Sequence, residues 1–259
     1  LTPLALRFLT IVYIFVNPVE QPLTVFVIAS LIAGLVGLIV ASIAMPQAWP
    51  AFRHWRLASR KELRRAAGFA VAGLAARGPM EIDKTMAARL LPLATAGVYS
   101  GAARIIGAVN IPVSSMIQAA LPSMFAQARS ESGIQRKMLA MLFFLPIGYG
   151  GGAALIVWQF VPVIGWVFGD AYVGIEQACT MLCLAIPGTM LRMTSGAILI
   201  AREQPLARTS VELGGIASIV IAAIILTPQY GILGMIAAYV FAEWMMATIA
   251  AIFVLKHGH

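Results

Sequence analysis

Long apolar stretches broken by short polar links run through this chain, and each stretch has the length of a membrane crossing. A spanning helix needs about 20 mostly apolar residues. Residues 22–45, 138–160, 209–227 and 232–255 satisfy that length, and no Asp, Glu, Lys or Arg occurs from Met138 to Gly169. Residues 4–16 read as the remainder of another crossing. Three less pure stretches complete the set: 66–88 carries Arg77, Glu81, Asp83 and Lys84, 95–127 carries Arg104, and 176–200 carries Arg192. The pattern predicts an all-α fold, a polytopic transmembrane bundle of about eight spanning helices. Strand-type alternation long enough for a barrel is absent.

The polar links orient these crossings. Arg53, Arg56, Arg60, Lys61, Arg64 and Arg65 crowd between two apolar stretches, opposed only by Glu62. Cytoplasmic links near membrane ends retain Lys and Arg, so 46–65 is expected inside. Alternation from there places 128–138, 201–208 and the tail at Lys256 inside as well, and these hold most of the remaining Lys and Arg. The opposite links at 17–21, 161–175 and 228–231 hold none, with only Arg89 near the fourth at 89–94. Asn17-Pro18, Pro22, Pro162 and Thr227-Pro228 punctuate the outer turns as helix breakers. The chain opens at Leu1 inside an apolar segment without a signal-peptide pattern, which reads as a piece of a longer protein.

Composition narrows the class. With 61% hydrophobic and 11% charged residues, and a mean hydropathy of +0.90, the chain has too much apolar surface for a soluble core to hide. The net charge of +8 resides in short links and not on a polar face, so anionic lipid headgroups are the expected counter-charge and no nucleic-acid partner is implied. Cys179 and Cys183 lie in an apolar run as small packing residues, with no His or acid following at metal-ligand spacing, while His54, His257 and His259 lie in a loop or the tail. Gly148, Gly150 and Gly152 lack the strand-turn-helix context of a nucleotide loop, and Gly148 with Gly152 instead gives helix-packing spacing. No Ser-His-Asp or Cys-His constellation assembles at membrane depth. The chain is expected to be no enzyme, with neither metal nor cofactor.

Charges inside the crossings are the candidate functional residues, because each costs about 2.5–3.5 kcal/mol in hydrocarbon unless it meets water or a partner. At 100° per residue, Arg77, Glu81 and Lys84 share an arc of roughly 60°. One reading is a self-neutralising ion-pair ladder; the other is a hydrated cavity whose cations meet an anionic substrate. Asp83 falls off this stripe near the outer helix end, where an interfacial position is one reading. Gly78-Pro79 predicts a bend beside the charges. Arg104, Asn110 and Gln118 make the next segment polar. Arg192 and Glu243 read as single deep charges. The substrate-binding candidates are therefore Arg77, Glu81, Lys84, Arg104, Asn110 and Arg192, and the candidate coupling carboxylates are Asp83 and Glu243.

From Glu81 to Ile105 the chain resembles the polysaccharide-biosynthesis branch, the O-antigen or lipid-linked oligosaccharide flippases, of the multidrug, oligosaccharidyl-lipid and polysaccharide exporter superfamily. Asp83, Gly97, Tyr99 and Ala102 match its pattern of an Asp followed by a Gly-x-Tyr-x-x-Ala step. Leu121-Pro122, Phe168-Gly169-Asp170-Ala171-Tyr172 and Tyr230-Gly231-Ile232-Leu233-Gly234 add matches in the same order, so the likeness covers most of 60–245. The resemblance implies a transporter of 12 to 14 helices in two lobes around a central cavity. Residues 1–65 would then supply the last two helices of the first lobe plus the basic cytoplasmic connector, and 66–259 the six-helix second lobe. It further implies flipping of an undecaprenyl-pyrophosphate-linked oligosaccharide by alternating access in the bacterial inner membrane, with membrane lipids and polysaccharide-assembly proteins as partners. Membrane physics, and no family motif, nominates Arg77, Lys84, Arg104 and Arg192 to hold its pyrophosphate or acidic sugars.

Rival readings are a cation-coupled drug or metabolite exporter of the same superfamily, a membrane-embedded glycosyltransferase, and a non-transport scaffold. An exporter of cations should keep a dominant acidic site, whereas the deep cations here are expected to outnumber the deep acids. A glycosyltransferase would need a catalytic acid or metal pair near a large outer loop, and no outer link is long enough. The topology has a direct check. Cysteines introduced at Ser59 or Ser132 should be shielded from an impermeant thiol reagent in intact cells and one at Val173 labelled, and the opposite pattern would invert the map.

Overall fold

In the computed structural model the described residues are 2–17, 21–44, 59–60, 62–63, 67, 78, 81–128, 136–169 and 172–256, and all their regular structure is helical. The chain divides into two compact units, Leu1–Leu63 and Arg64–His259. The first holds α1 (Thr2–Val16) and α2 (Pro22–Ala44), packed against each other. Gly37 of α2 lies directly against Pro3 of α1, where a Cβ would collide with the ring. Most large apolar side chains of both helices point outward, as lipid-facing helices require.

The second unit begins its described part with α3 (81–90), which stops where Leu91 precedes Pro92, since a residue before proline avoids the helical region. Next come α4 (Leu93–Val109) and α5 (Ile111–Ala128), then α6 (Arg136–Phe168) and α7 (Ile175–Leu182). A 3₁₀ turn at Cys183–Ala185 leads into α8 (Ile186–Ala201), followed by α9 (Pro205–Tyr230) and α10 (Ile232–Lys256). Among the described residues five spans are long and apolar enough to cross a membrane, and six if α4 and α5, bent by 42°, count as one. The stretch expected at 95–127 is thus a broken helix. Asn110 sits at its break, and Tyr149 of α6 donates from its hydroxyl to the Val109 carbonyl at 3.1 Å. The expected crossing at 66–88 lies mostly outside the described residues, as do Arg77, Pro79 and most of the basic link.

The span made by α7 and α8 is the centre of this unit. In its most apolar window 72% of the residues are buried, against 17% for α6. It packs on α4, α5, α6 and α10. Pro187 in the first turn of α8 has no N–H to continue the preceding helix, and the break is capped from outside: Trp244 of α10 donates its indole N–H to the Leu184 carbonyl at 2.9 Å. The indole lies over Gly188, where a Cβ would stand 3.3 Å from the ring. Glycine also sets the approach of α6, but at Gly150, whose Cβ would come 3.0 Å from the Pro187 backbone. Gly148 and Gly152, expected to form that contact from their spacing, face open space.

The matched motifs acquire physical reasons. Gly101 of α4 leaves room for Tyr172 and Phe168, which stack edge to face at 5.1 Å. Gly231 turns the chain between α9 and α10 at φ 58° and ψ −134°, a conformation closed to side chains. Gly234 then lets α10 start against the Leu226 carbonyl, where any Cβ would overlap the backbone. Gly231→Ala and Gly234→Ala should each lower stability by about 1–3 kcal/mol, read as thermal unfolding of the detergent-solubilised protein, with Gly148→Ala unchanged.

Candidate functional site

Two polar features occupy the second unit. The first is a cavity of about 370 Å³ walled by α3, α4, α7 and α10, with Glu81, Asp83, Lys84, Arg104, Asn110 and Tyr239 as its polar lining. Ile106 and Leu182 supply apolar wall. Asp83 and Lys84 sit in the first turn of the described α3, Arg104 is one to two turns before Asn110 at the break, and Tyr239 lines it from α10. Of the expected substrate residues, Glu81, Lys84, Arg104 and Asn110 therefore share one cavity. Arg77 lies outside the described residues.

Asp83 is buried within the protein. It is 2% exposed and accepts a hydrogen bond on Oδ2 from the Tyr99 hydroxyl at 2.9 Å, and Tyr99 itself is completely buried. The Asp and Tyr of the matched sequence pattern thus clasp α3 to α4, 16 residues apart. Lys84 Nζ lies 3.8 Å from Asp83 Oδ1 and 3.6 Å from Glu81 Oε2, bridging the two carboxylates. The Lys84–Glu81 half of the ladder expected from the helical wheel is therefore present. Asp83 Oδ1 and Asn110 Oδ1 are buried with no hydrogen-bond donor.

The second feature is a buried charge cluster joining α8, α9 and α10. Arg192 directs Nη1 to both carboxylate oxygens of Glu212, at 3.0 and 2.9 Å. Its Nε and Nη2 reach Glu243 at 2.9 and 3.3 Å. Arg192, Glu212 and Glu243 are 3%, 3% and 0% exposed, and Arg208 adds a looser contact to Glu212 at 4.0 Å. Arg192 and Glu243 are consequently not single deep charges, as the sequence suggested, but each other's partners. Arg192 lines a different, smaller cavity of about 240 Å³ with Ser114, Gln118, Arg208 and Glu212, apart from Arg104 and Lys84. Glu243 is one helical turn from Tyr239, so α10 links the cluster to the larger cavity.

Glu212 escaped the sequence reading because 209–227 passes as a plain apolar crossing; its i,i+4 spacing from Arg208 was the available signal. Among the described residues the charged side chains buried in the protein are Asp83, Glu212 and Glu243 against Arg192 alone. Cys179 and Cys183 are buried free thiols, and no grouping of metal ligands occurs among the described residues.

Breaking the cluster from one side should be worse than removing it. Arg192→Met leaves two buried carboxylates without a partner and should cost about 3–5 kcal/mol, seen as a fall in thermal stability and membrane abundance. The triple variant Arg192→Met, Glu212→Gln, Glu243→Gln should recover most of that loss, because no buried charge is left unpaired.

No family model matches this chain, and no curated protein matches it. A solved structure does: the outward-facing conformation of a multidrug-resistance transporter of the MATE family, in the MOP superfamily, superposes with a TM-score of 0.70 at 16% identity. The match covers 99% of this chain and 61% of that one. At that identity the likeness speaks for the fold, and the chain is a multi-pass membrane protein with the helical architecture of a MATE-type transporter.

Proposed function

We propose that the chain is part of a membrane transporter that flips or exports a lipid-linked oligosaccharide, carried on undecaprenyl pyrophosphate, by alternating access in the bacterial inner membrane. The transporter-type fold supports the transport half of this reading. The observation that carries the substrate half is the larger cavity, where carboxylate, ammonium, guanidinium, amide and phenol groups line one space inside an otherwise apolar bundle. Polar groups are costly at membrane depth, and a hydrogen-bonding substrate gives them a use. Glu81, Lys84, Arg104 and Asn110 are its contact residues in this reading.

A second reading, a cation-coupled exporter of drugs or metabolites, draws on the excess of buried acids. Asp83 and Glu243 would then carry the coupling ion, with Arg192 holding Glu243 in place. Function in that case depends on carboxylate charge more than on Arg104.

The two readings separate by mutation where the chain belongs to a working transporter. Arg104→Ala should cut surface glycan by about tenfold or more, the effect of losing one hydrogen bond from a charged group, while membrane abundance stays the same. Arg104→Lys should recover little if the planar fork is used and much if charge suffices. Normal glycan with Arg104→Ala, together with dye or metabolite efflux abolished by Asp83→Asn, would replace the first reading by the second.

A further inference from the structure

Two neighbouring spans of the second unit are interrupted at the same depth and by the same sequence device. α4 ends at Asn110, and α5 follows with Pro112 in its first turn. α7 ends at the 3₁₀ turn Cys183–Ala185, and α8 follows with Pro187 in its first turn. Each proline lacks the N–H that would continue the preceding helix, and its ring crowds the carbonyl four residues back. A short 3₁₀ stretch inside a span is a recurrent sign of a hinge. Consecutive residues of α6 establish the common depth: Tyr149 reaches the Val109 carbonyl at the first break, and Gly150 lies against the Pro187 backbone at the second.

The halves on either side pack like with like. α4 lies on α7, and α5 lies on α8. In the expected topology α4 and α7 are the outer halves of their spans, and α5 and α8 the inner ones. The cavities follow the same division. The larger takes walls from α4 and α7 and reaches Asn110 and Leu182 beside the breaks, whereas the smaller is walled by α5, α8 and α9. The inner half is anchored, since Arg192 ties α8 to α9 and α10. Bending at one break alone would drag α4 across α7; breaks at one depth let the packed pair tilt as a body.

Each break is closed by one aromatic side chain from a span that runs past it. The Tyr149 hydroxyl of α6 donates to Val109 at 3.1 Å, and the Trp244 indole N–H of α10 donates to Leu184 at 2.9 Å. Both carbonyls stand three residues before the proline of their break. These are single neutral hydrogen bonds, weaker than the charge-assisted ones around Arg192, and their donors belong to side chains open to the exterior. We propose that α4 and α7 form one outer body that rocks against α5 and α8 about a double joint at Asn110 and Cys183–Pro187, latched by Tyr149 and Trp244, and that the rocking widens and narrows the larger cavity. α3 is carried along by the bond between Tyr99 and Asp83. The proposal rests on the alternating-access reading for its use, and adds to it a moving part within the second unit.

The test uses the full 259-residue chain in nanodiscs, with two pairs of nitroxide labels on introduced cysteines. Leu93→Cys with Gln177→Cys reads the outer body internally, and Leu93→Cys with Ile225→Cys reads it against α9. All three positions are exposed, and the native Cys179 and Cys183 are buried and should take no label. Trp244→Phe keeps a ring over Gly188 and removes the N–H. It should shift the Leu93–Ile225 distance by about 2 Å or more, or add a second population, while the Leu93–Gln177 distance stays single. Hydrogen exchange supplies the second readout. Trp244→Phe and Tyr149→Phe should each speed exchange about fivefold, the effect of one lost neutral hydrogen bond, at both 111–115 and 186–190, with α9 around Ile219 unchanged. Faster exchange confined to the mutated break would make the two kinks independent and overturn the joint, as would a Leu93–Ile225 distance that stays fixed. Should the Phe variants unfold, exchange in the unaltered chain decides: both breaks should open with one common free energy, and unequal protection overturns the joint. If the joint moves while export is indifferent to Arg104, the joint stands and the oligosaccharide reading falls; if the joint is rigid while export depends on Arg104, the reverse holds.

Discussion

Arg192 is the residue on which the second unit depends. One guanidinium on the central helix engages two carboxylates on the last two helices, at 2.9–3.3 Å, so α8, α9 and α10 are bound through a single planar group. Its rigid fork suits this, because Nε and the two Nη atoms point in different directions and each finds an oxygen. A bundle in lipid has little hydrophobic force to hold helix against helix, which gives a saturated ion cluster more importance than it would have in a soluble core. The clasp between Tyr99 and Asp83 does the same for α3 and α4, with one hydrogen bond where the cluster has four.

These two contacts give the cavity its shape. Asp83 is pinned by Tyr99 on one wall, while α10 is pinned by Glu243 one turn from Tyr239 on another. The cavity's polar groups are thus not loose side chains that reorganise around a ligand but ones whose neighbours are already committed. Such preorganisation is what a binding site requires if little ordering is to be left for the moment of binding.

Sequence patterns disclosed the crossings and the charges within them, since hydrocarbon demands apolar length and penalises every exception. They disclosed the near neighbours too: Lys84 and Glu81 meet as an i,i+3 pair should. Partners on other helices were not legible. Arg192 is 20 residues from Glu212 and 51 from Glu243, and no helical wheel contains distances between helices. That is why Arg192 looked like a free cation for a substrate and proved to be saturated. The partner of Asp83 was hidden for a related reason: its angle on the wheel is away from Arg77 and Lys84, and the wheel does not contain Tyr99, which it meets on α4. Glycine spacing misled in the same way at Gly148 and Gly152, because the close neighbour of α6 is the backbone at Pro187, opposite Gly150. Small residues permit an approach without saying which of them is approached.

Asn110 has two occupations at once. It ends α4 at the 42° break before α5, and it is one of the residues that line the cavity. A change in what the cavity accepts and a change in how the helix bends therefore pass through one codon. Descendants of this chain would diverge in ligand preference more readily through Arg104, which is exposed on a regular stretch of helix, than through the residue at the bend.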